Sequence, residues 1–346
     1  MKTKIIKINS NSPEISKIKI AAKVLRKDGL VAFPTETVYG LGANALDIKA
    51  VKKIFEAKGR PIDNPLIVHI SNKKDICRLV EKVPKDAERL MDKFWPGPLT
   101  LILKKSKIVP YITTGGLDTV AIRMPANKIA LALIKEAKIP IAAPSANLFG
   151  KPSPTRAEHV IEDLYGKIDA IINGGNTEIG IESTVVDLTT NPPVLLRPGS
   201  VALEEMERVL GKIEIYSVAN EKDITKIIAK SPGMKYKHYS PDAKLIVVEG
   251  KHQNVKKKIQ ELINQYKKEG KKIGIMVINQ NHSYRANKIK FVGNDFIAIA
   301  KNLFKIFREF NKEKIDIIIA EGISDKGLGL AIMNRLRKAS NEIIKV

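Results

Sequence analysis

The chain has 346 residues, with 44% hydrophobic and 28% charged side chains, which are the proportions of an ordinary soluble globular protein. Its length exceeds the roughly 250–300 residues that a single hydrophobic core usually serves, so we expect two domains. The net charge of +23 favours polyanionic partners such as nucleotides or RNA, although lysine-rich, solvated helix faces account for it equally well.

No apolar run approaches the ~20 residues of a membrane span, and the first residues lack the pattern of an export signal. We therefore expect a cytoplasmic protein. The single cysteine, Cys77, excludes an intramolecular disulfide and a thiolate zinc site, and the histidines are scattered along the chain. The sequence therefore indicates no structural metal.

Short strand-like runs dominate residues 1–215, which predicts a mixed α/β unit. The runs are GLVAFP, NPLIVHI, PLTLILK, TVAIRMP, IPIAAP, AIING, STVVDLT and PVLLRPG. The first run leads into FPTETVYGLGANA (33–45), whose hydroxyl side chains and glycines predict a turn. Its GLGANA tail resembles a dinucleotide-binding glycine loop, but it lies several residues beyond its strand, so we reject that interpretation.

A helix is predicted after Asp47, a good N-cap residue, and it should end at Gly59. Its apolar stripe ends in Lys58, a position where a lysine needs a partner. The loop and strand that follow add three further polar residues: Arg60, Asn64 and His69. Cations stabilise a helix C-terminus and also bind phosphate, so this stretch alone supports both interpretations equally.

In TVAIRMP, the two-residue period places Thr119, Ala121 and Arg123 on one face of a strand. Small neighbours around an arginine indicate room for an anion, whereas an arginine on an edge strand usually reaches solvent. Later polar residues in loops and at strand ends are Ser145, Asn147, Ser153, Ser183 and Arg197. Because no carboxylate pair, Ser-His-Asp set or Cys-His set emerges, we expect any catalysis to rely on positioning and charge neutralisation.

Beyond residue 241, strands and helices alternate, which predicts a parallel sheet with helices packed against it. The strands are KLIVVEG, KKIGIMVIN, KIKFVG and KIDIIIAEG, and the helices span 254–268, 296–310 and 328–338. SPGMKYKHYSP (231–241) is typical of a linker. GLGLAI (327–332) has no βαβ unit after it, and no GxxxxGK[ST] occurs, so neither a dinucleotide fingerprint nor a Walker-type site is expected.

Seven motifs occur in the order and spacing of the YrdC-like family: PTETVYGLG, KGRPIDNPLIVHI, FWPGPLT, AIRMP, PSANLFGKPSPT, ESTVVDL and LLRPGS. With its HYSP linker, the chain resembles the two-domain branch of that family over almost its whole length. The resemblance implies an N-terminal YrdC-like open α/β fold (1–215), with a twisted mixed sheet around a large, positively charged cavity. It also implies a linker (216–241) and a smaller C-terminal Rossmann-like α/β domain (242–346).

The activity implied by this resemblance joins L-threonine, bicarbonate or CO₂, and ATP into threonylcarbamoyl-AMP and pyrophosphate, with Mg²⁺ accompanying ATP. A tRNA threonylcarbamoyl transferase complex would then use the product to make threonylcarbamoyladenosine beside the anticodon of tRNAs reading codons that begin with A. Weak direct tRNA binding is a further expectation. The C-terminal domain is expected to cover or regulate the first domain.

Site residues are carried over from the family by motif. Lys58 and Arg60 would be the catalytic residues. The residues implied for L-threonine are Thr37, His69, Arg123, the backbone of Ala143, and Ser183. Those implied for ATP are Arg60, Asn64, Thr119, Ser145, Asn147, Ser153, Arg197 and Tyr239, the last in a linker expected to close over the cavity.

Two other functions fit the sequence less well than this one. A non-catalytic RNA-binding or translation-linked protein would present aromatic platforms on a basic surface, but only 5% of residues are aromatic. A carbamoyl-transfer maturation enzyme is the other alternative, because related domains occur in such proteins. Those proteins carry zinc-finger modules, and the lone cysteine argues against one here.

Overall fold

The computed structural model describes residues 2–216, 230–231, 234, 236, 238–278 and 284–346. Within these limits the chain forms two compact units, one from residues 1–149 and 153–236 and the other from 150–152 and 237–346. Residues 217–229, 232–233, 235 and 237 of the predicted linker lie outside the described residues. The linker residues described up to Tyr236 belong to the first unit, and those from His238 onward belong to the second.

The first unit contains a mixed sheet, as the sequence predicts. Its strands are β1 Lys4–Lys7, β2 Val31–Phe33, β3 Gly40–Asn44, β4 Ile67–His69, β5 Leu99–Lys104, β6 Thr119–Arg123, β7 Ile141–Ala142, β8 Ala170–Asn173, β9 Thr184–Asp187, β10 Val194–Arg197 and β11 Glu214–Ile215. Across the sheet they lie in the order β1-β8-β2-β3-β7-β4-β6-β5-β9-β10-β11. Strands distant in sequence, such as β4 and β6, are therefore neighbours.

Helices cover both faces of this sheet. They are α1 Ile15–Arg26, α2 Ile48–Lys58, a 3₁₀ turn Lys73–Asp75, α3 Ile76–Leu79, α4 Lys85–Phe94, α5 Tyr111–Thr114, α6 Lys128–Ala137, α7 Ala157–Leu164 and α8 Leu203–Leu210. Alternation along β2 sends Val31 and Phe33 into a core shared with α1 and α6, and Ala32 into a core shared with α2. Strand β2 is thus buried on both sides.

Helix α2 begins and ends as the sequence predicts. The Asp47 side chain accepts a hydrogen bond from the Ala50 N–H at 2.7 Å, which satisfies one of the free donors of the first turn. Gly59 ends the helix in the left-handed conformation, at φ +61°. Lys58 is buried with the apolar stripe, so its ammonium group must find partners inside the protein.

The prediction of a turn for residues 33–45 is wrong over its second half, because Gly40–Asn44 forms β3, antiparallel to β2. Gly42 permits a close approach inside the sheet. A Cβ atom there would lie 2.8 Å from both the Phe33 ring and the Ile141 side chain. The glycine therefore makes room for Phe33, whose ring lies edge-on to that of His69 at 6.4 Å between centroids.

The second unit contains the parallel sheet expected from its alternating pattern. Its strands are β12 Lys244–Glu249, β13 Ile273–Val277, β14 Lys288–Phe291, β15 Ile317–Glu321 and β16 Glu342–Lys345, in the order β14-β13-β15-β12-β16. Its helices are α9 His252–Lys268, α10 Phe296–Lys312 and α11 Leu328–Ala339. Strand β16 is the one described element of this unit that the sequence did not predict.

Helix α9 packs against one face of this second sheet, through Ile259 and Ile263. On the other face, the missing side chain of Gly274 allows the ring of Phe310 in α10 to lie against the sheet. Among the described residues, no helix is both long and apolar enough to cross a membrane.

We expect Gly42→Ala to lower the free energy of unfolding by about 1–3 kcal/mol, because the added methyl group overpacks the space beside Phe33. Thermal and denaturant unfolding of the purified variant measure this change. In a Phe33→Leu background the smaller side chain leaves room, so the cost of Gly42→Ala should shrink. An equal cost in both backgrounds would contradict overpacking against Phe33.

Candidate active site

Sheet order brings polar side chains from separate motifs into one row. His69 on β4 is the register partner of Arg123 on β6, and Arg123 is the partner of Thr100 on β5. The Thr100 hydroxyl shares a 2.7 Å hydrogen bond with that of Ser183, which directly precedes β9. Arg197, at the end of β10, donates to the Ser183 hydroxyl at 3.1 Å. The row therefore crosses five strands that are adjacent in space.

Arg123 lies at the centre of this row. The interpretation of a solvent-exposed arginine on an edge strand is wrong, because β6 is an internal strand and Arg123 is 4% exposed. Its guanidinium donates to the Thr37 hydroxyl at 2.9 Å and to the Gly97 carbonyl at 3.2 Å. Nη2 also lies 2.6 Å from a carboxylate oxygen of Glu36. A planar guanidinium in this position can bind a carboxylate ligand through two nitrogens.

The loop between β2 and β3 supplies the hydroxyl groups beside Arg123. Thr35 and Thr37 share a hydrogen bond at 2.8 Å, and the Thr35 hydroxyl also contacts the Val38 carbonyl at 2.7 Å. From the other side, the Gly180 N–H donates to the Thr37 carbonyl at 3.0 Å. The loop is thus fixed before any ligand arrives, which lowers the entropy cost of binding.

His69 is held as a neutral hydrogen-bond acceptor. Its Nδ1 lies 3.1 Å from the Ile67 carbonyl, and since a carbonyl can only accept, Nδ1 carries the proton. Burial, together with the Arg123 charge, lowers the pKa of His69 to about 3. Nε2 therefore carries a lone pair at neutral pH, suited to a ligand hydroxyl or ammonium group.

Residues implied for the two substrates lie along the same strands. Ala143 follows β7, and its N–H donates to the Ile67 carbonyl at 2.9 Å, so its carbonyl is the backbone group left to contact a ligand. Thr119 shares the Arg123 face of β6 but lies at the strand's other end, about 13 Å away. The face between them is apolar, formed by Ile67, Ile102, Ala121, Val185 and Leu196, with Met234 packed against it.

The partners of the buried Lys58 side chain are backbone carbonyl groups. Its ammonium group donates to the carbonyls of Ser145 and Asn147, and the Phe149 N–H donates to the Lys58 carbonyl at 2.9 Å. Burial, with a smaller contribution from Arg60, lowers the pKa of Lys58 well below its ordinary value. The described contacts therefore make Lys58 the anchor of the loop that carries Ser145 and Asn147.

Asn64 is a buried polar residue whose side chain is suited to binding a ligand. It is 1% exposed, and within the described part of the chain neither side-chain Oδ1 nor Nδ2 has a hydrogen-bond partner. Its backbone is fixed, because Arg60 donates to the carbonyls of Asn64 and Pro65 at 3.2 and 3.0 Å. A buried amide left in this state costs free energy unless a ligand binds it.

Ser153 and Tyr239 complete the implied residues. The Ser153 hydroxyl donates to the carboxylate of buried Glu182, within the first unit. Tyr239 lies in the second unit, where its ring stacks on Phe304 with the centroids 5.3 Å apart and lies beneath the Arg335 guanidinium. The implied residues other than Tyr239 all lie in the first unit, and the substrate roles of the whole set stay predictions.

Three site residues escaped the sequence analysis: Glu36, Thr100 and Glu182. Glu36 and Glu182 sit inside motifs already recognised, PTETVYGLG and ESTVVDL, so a buried acid within a polar motif was the available signal. Thr100 gave no signal, because only the β5–β6 register places it beside Arg123. The described residues contain no cluster of three or more acidic, histidine or cysteine side chains able to hold a metal ion.

Two family models match successive parts of the chain. A model named Sua5/YciO/YrdC, described as "Telomere recombination", matches residues 23–199. A second model, described as "Threonylcarbamoyl-AMP synthase, C-terminal domain", matches residues 201–341.

Similar proteins include a threonylcarbamoyl-AMP synthase of Pyrococcus abyssi, 58% identical over 95% of this chain and 96% of its own. One of Bacillus subtilis is 50% identical over 96% of this chain and 94% of its own. A crystal structure of Pyrococcus abyssi Sua5 complexed with L-threonine has a TM-score of 0.94 and 57% identity, and covers 99% of this chain and 100% of that one.

We expect His69 to stay neutral, with the proton on Nδ1, from pH 8 to pH 5, and imidazole ¹⁵N spectra assigned with His69→Gln measure this. Since its folded pKa of about 3 lies below the ordinary 6.5, the stability that His69 contributes is complete above pH 6.5 and is lost as pH falls towards 3. The stability advantage over His69→Gln should therefore narrow by up to about 1.4 kcal/mol per pH unit in that window. A protonated ring at pH 6 would contradict this.

Proposed function

Because the chain belongs to the Sua5/YciO/YrdC family, we propose that it is a threonylcarbamoyl-AMP synthase that uses L-threonine, bicarbonate or CO₂, and ATP. The observation that carries the proposal is the buried row of His69, Arg123 and Ser183 across neighbouring strands. Side chains suited to an amino acid occupy one end of β6, and Thr119, implied for the nucleotide, lies at its other end. One sheet face can thus hold both substrates together.

L-Threonine fits the first end of this face by its functional groups. The Arg123 guanidinium pairs with the α-carboxylate, and neutral His69 and the Thr37 hydroxyl meet the side-chain hydroxyl. An analogue without that hydroxyl would leave these buried groups unpaired, so the site rejects it more strongly than an apolar pocket would.

The reaction requires a threonine carbamate whose oxygen attacks the α-phosphorus of ATP while pyrophosphate leaves. Negative charge then gathers on phosphate oxygens, and we assign its stabilisation to the buried guanidinium groups of Arg60 and Arg197. Lys58 contributes by fixing the carbonyls of Ser145 and Asn147 and thereby the loop that meets ATP. This transfer of an adenylyl group makes the protein a nucleotidyltransferase.

Mg²⁺ would enter with ATP. The described residues offer no acidic cage for it. This suits an ion whose octahedral shell is filled mostly by phosphate oxygens and water, with few protein ligands. The ion would supply charge neutralisation at the phosphates, while the chain's own arginines orient them.

The adenylate would pass to a tRNA threonylcarbamoyl transferase complex, with weak direct tRNA binding aided by the net charge of +23. A protein that only bound RNA would have no use for a buried amide such as Asn64 or a buried row of polar groups. These features favour an enzyme acting on small molecules.

We expect purified protein given ATP, bicarbonate and L-threonine to release pyrophosphate and form threonylcarbamoyl-AMP, measured by a coupled pyrophosphate assay and mass spectrometry. L-2-Aminobutyrate, which lacks the hydroxyl group, should support the reaction at least about 100-fold less well. EDTA should stop the reaction and added Mg²⁺ should restore it. Pyrophosphate release that is indifferent to threonine would refute the proposed function.

We expect Lys58→Met to lower kcat/KM for ATP by about 100-fold, because the loop of Ser145 and Asn147 loses its anchor. The folded state should persist, with melting temperature and circular dichroism as the measurements. Lys49→Met, at an exposed position on the same helix, is the matched control and should leave both properties unchanged. A loss of stability in Lys58→Met as large as the loss of activity would instead make Lys58 a purely structural residue.

A further inference from the structure

Glu36 is an acidic side chain buried at the centre of the site that the mechanism above does not use. It is 3% exposed, and its Oε1 lies 2.6 Å from Nη2 of Arg123. The orientation of the two groups does not meet hydrogen-bond geometry. Among the described residues, both Glu36 oxygens and Arg123 Nη2 consequently lack a hydrogen-bond partner. The pair is therefore a Coulombic contact with unused donors and acceptors.

Burying such an ion pair costs free energy. A buried carboxylate is stable when several donors surround it, and an ion pair alone seldom offsets the loss of water. Glu182, the other buried acid of the site, does have a donor in the Ser153 hydroxyl. Glu36 thus retains the capacity to accept hydrogen bonds from a ligand.

The backbone fixes Glu36 in this position. Its carbonyl accepts from the N–H groups of Glu178 and Ile179 at 3.2 and 2.8 Å. The neighbouring Thr37 hydroxyl accepts from Arg123. The carboxylate is thus held beside the guanidinium, within the buried part of the site.

We propose that Glu36 and Arg123 together bind the zwitterionic head group of an α-amino acid, with Glu36 accepting hydrogen bonds from the α-ammonium group and Arg123 donating to the α-carboxylate. An amino acid carries one positive and one negative group on the same carbon, and the pair offers the complementary charges side by side. This inference rests on the proposed function, because it takes L-threonine as the ligand.

Glu36 then determines specificity as well as affinity. A carboxylic acid without the amino group would still meet Arg123, but it would also face the Glu36 carboxylate, a like charge without a compensating donor. The site would thus repel hydroxy acids and other carboxylates, which is selection by unfavourable contacts against the wrong ligand. An amino acid avoids that repulsion because its ammonium group lies between the two carboxylates.

The test compares two ligands and two proteins by isothermal titration calorimetry. The ligands are L-threonine and (R)-3-hydroxybutanoate, which keeps the carboxylate and hydroxyl groups but lacks the amine. Glu36→Gln keeps the shape of the side chain and removes its charge. We expect this change to weaken L-threonine binding at least 10-fold and to strengthen (R)-3-hydroxybutanoate binding, so the two affinities move in opposite directions.

Glu178→Gln is the matched control, because Glu178 is exposed and its backbone N–H donates to the same loop; both affinities should stay at the wild-type values. Affinities that move in the same direction in Glu36→Gln would overturn the proposal. If Glu36→Gln does not fold, the test uses Glu36→Asp, which retains the charge. It should keep the preference for L-threonine, and a preference for the hydroxy acid would also overturn the proposal.

These outcomes are separable from the proposed function. A wild-type protein that prefers L-threonine to the hydroxy acid but releases no threonine-dependent pyrophosphate would refute the synthase activity and leave the head-group site standing. A wild-type protein that makes threonylcarbamoyl-AMP but binds L-threonine no more tightly than the hydroxy acid would refute the head-group site and leave the synthase activity standing.

Discussion

A guanidinium buried in the middle of a sheet is the constraint around which the first unit is organised. Arg123 projects from an internal strand, and its donors need acceptors that water cannot provide there. They come from two distant segments: the loop after β2 supplies Thr37, and the residues before β5 supply the Gly97 carbonyl. The position of the loop, the order of the strands and the geometry of the site therefore depend on one another.

The same principle applies to the buried cations Lys58 and Arg60. Lys58 lies at the end of an apolar stripe, where its charge is costly, and it is held by two backbone carbonyls of the following polar loop. Arg60 likewise binds the carbonyls around Asn64. Carbonyl dipoles satisfy N–H groups without cancelling a positive charge, so this part of the unit suits the phosphates of ATP.

The sequence allows the prediction of features set by neighbours along the chain. The Asp47 cap, the Gly59 stop and the strand positions of Ser183 and Arg197 all depend on local patterns, and each agrees with the structure. The sequence predicted a turn in place of strand β3 because glycines are rare in strands, and Gly42 is needed there for the Phe33 ring and the Ile141 side chain that pack beside it. The place of Thr100 depends on which strands pair, which no local pattern records.

The family resemblance indicates which residues belong to the site, whereas their hydrogen bonds distinguish what each of them contacts. Lys58 and Arg60 fall within one short motif, yet Lys58 reaches across to the 145–147 loop while Arg60 braces its own loop at Asn64. Asn64 and Glu36 are both buried with unused hydrogen-bonding atoms, and only the first belongs to the implied set. An unsatisfied buried amide and an unsatisfied buried carboxylate both have the capacity to bind a further hydrogen-bonding partner. Glu36 is therefore as good a candidate for contact with the substrate as Asn64 is.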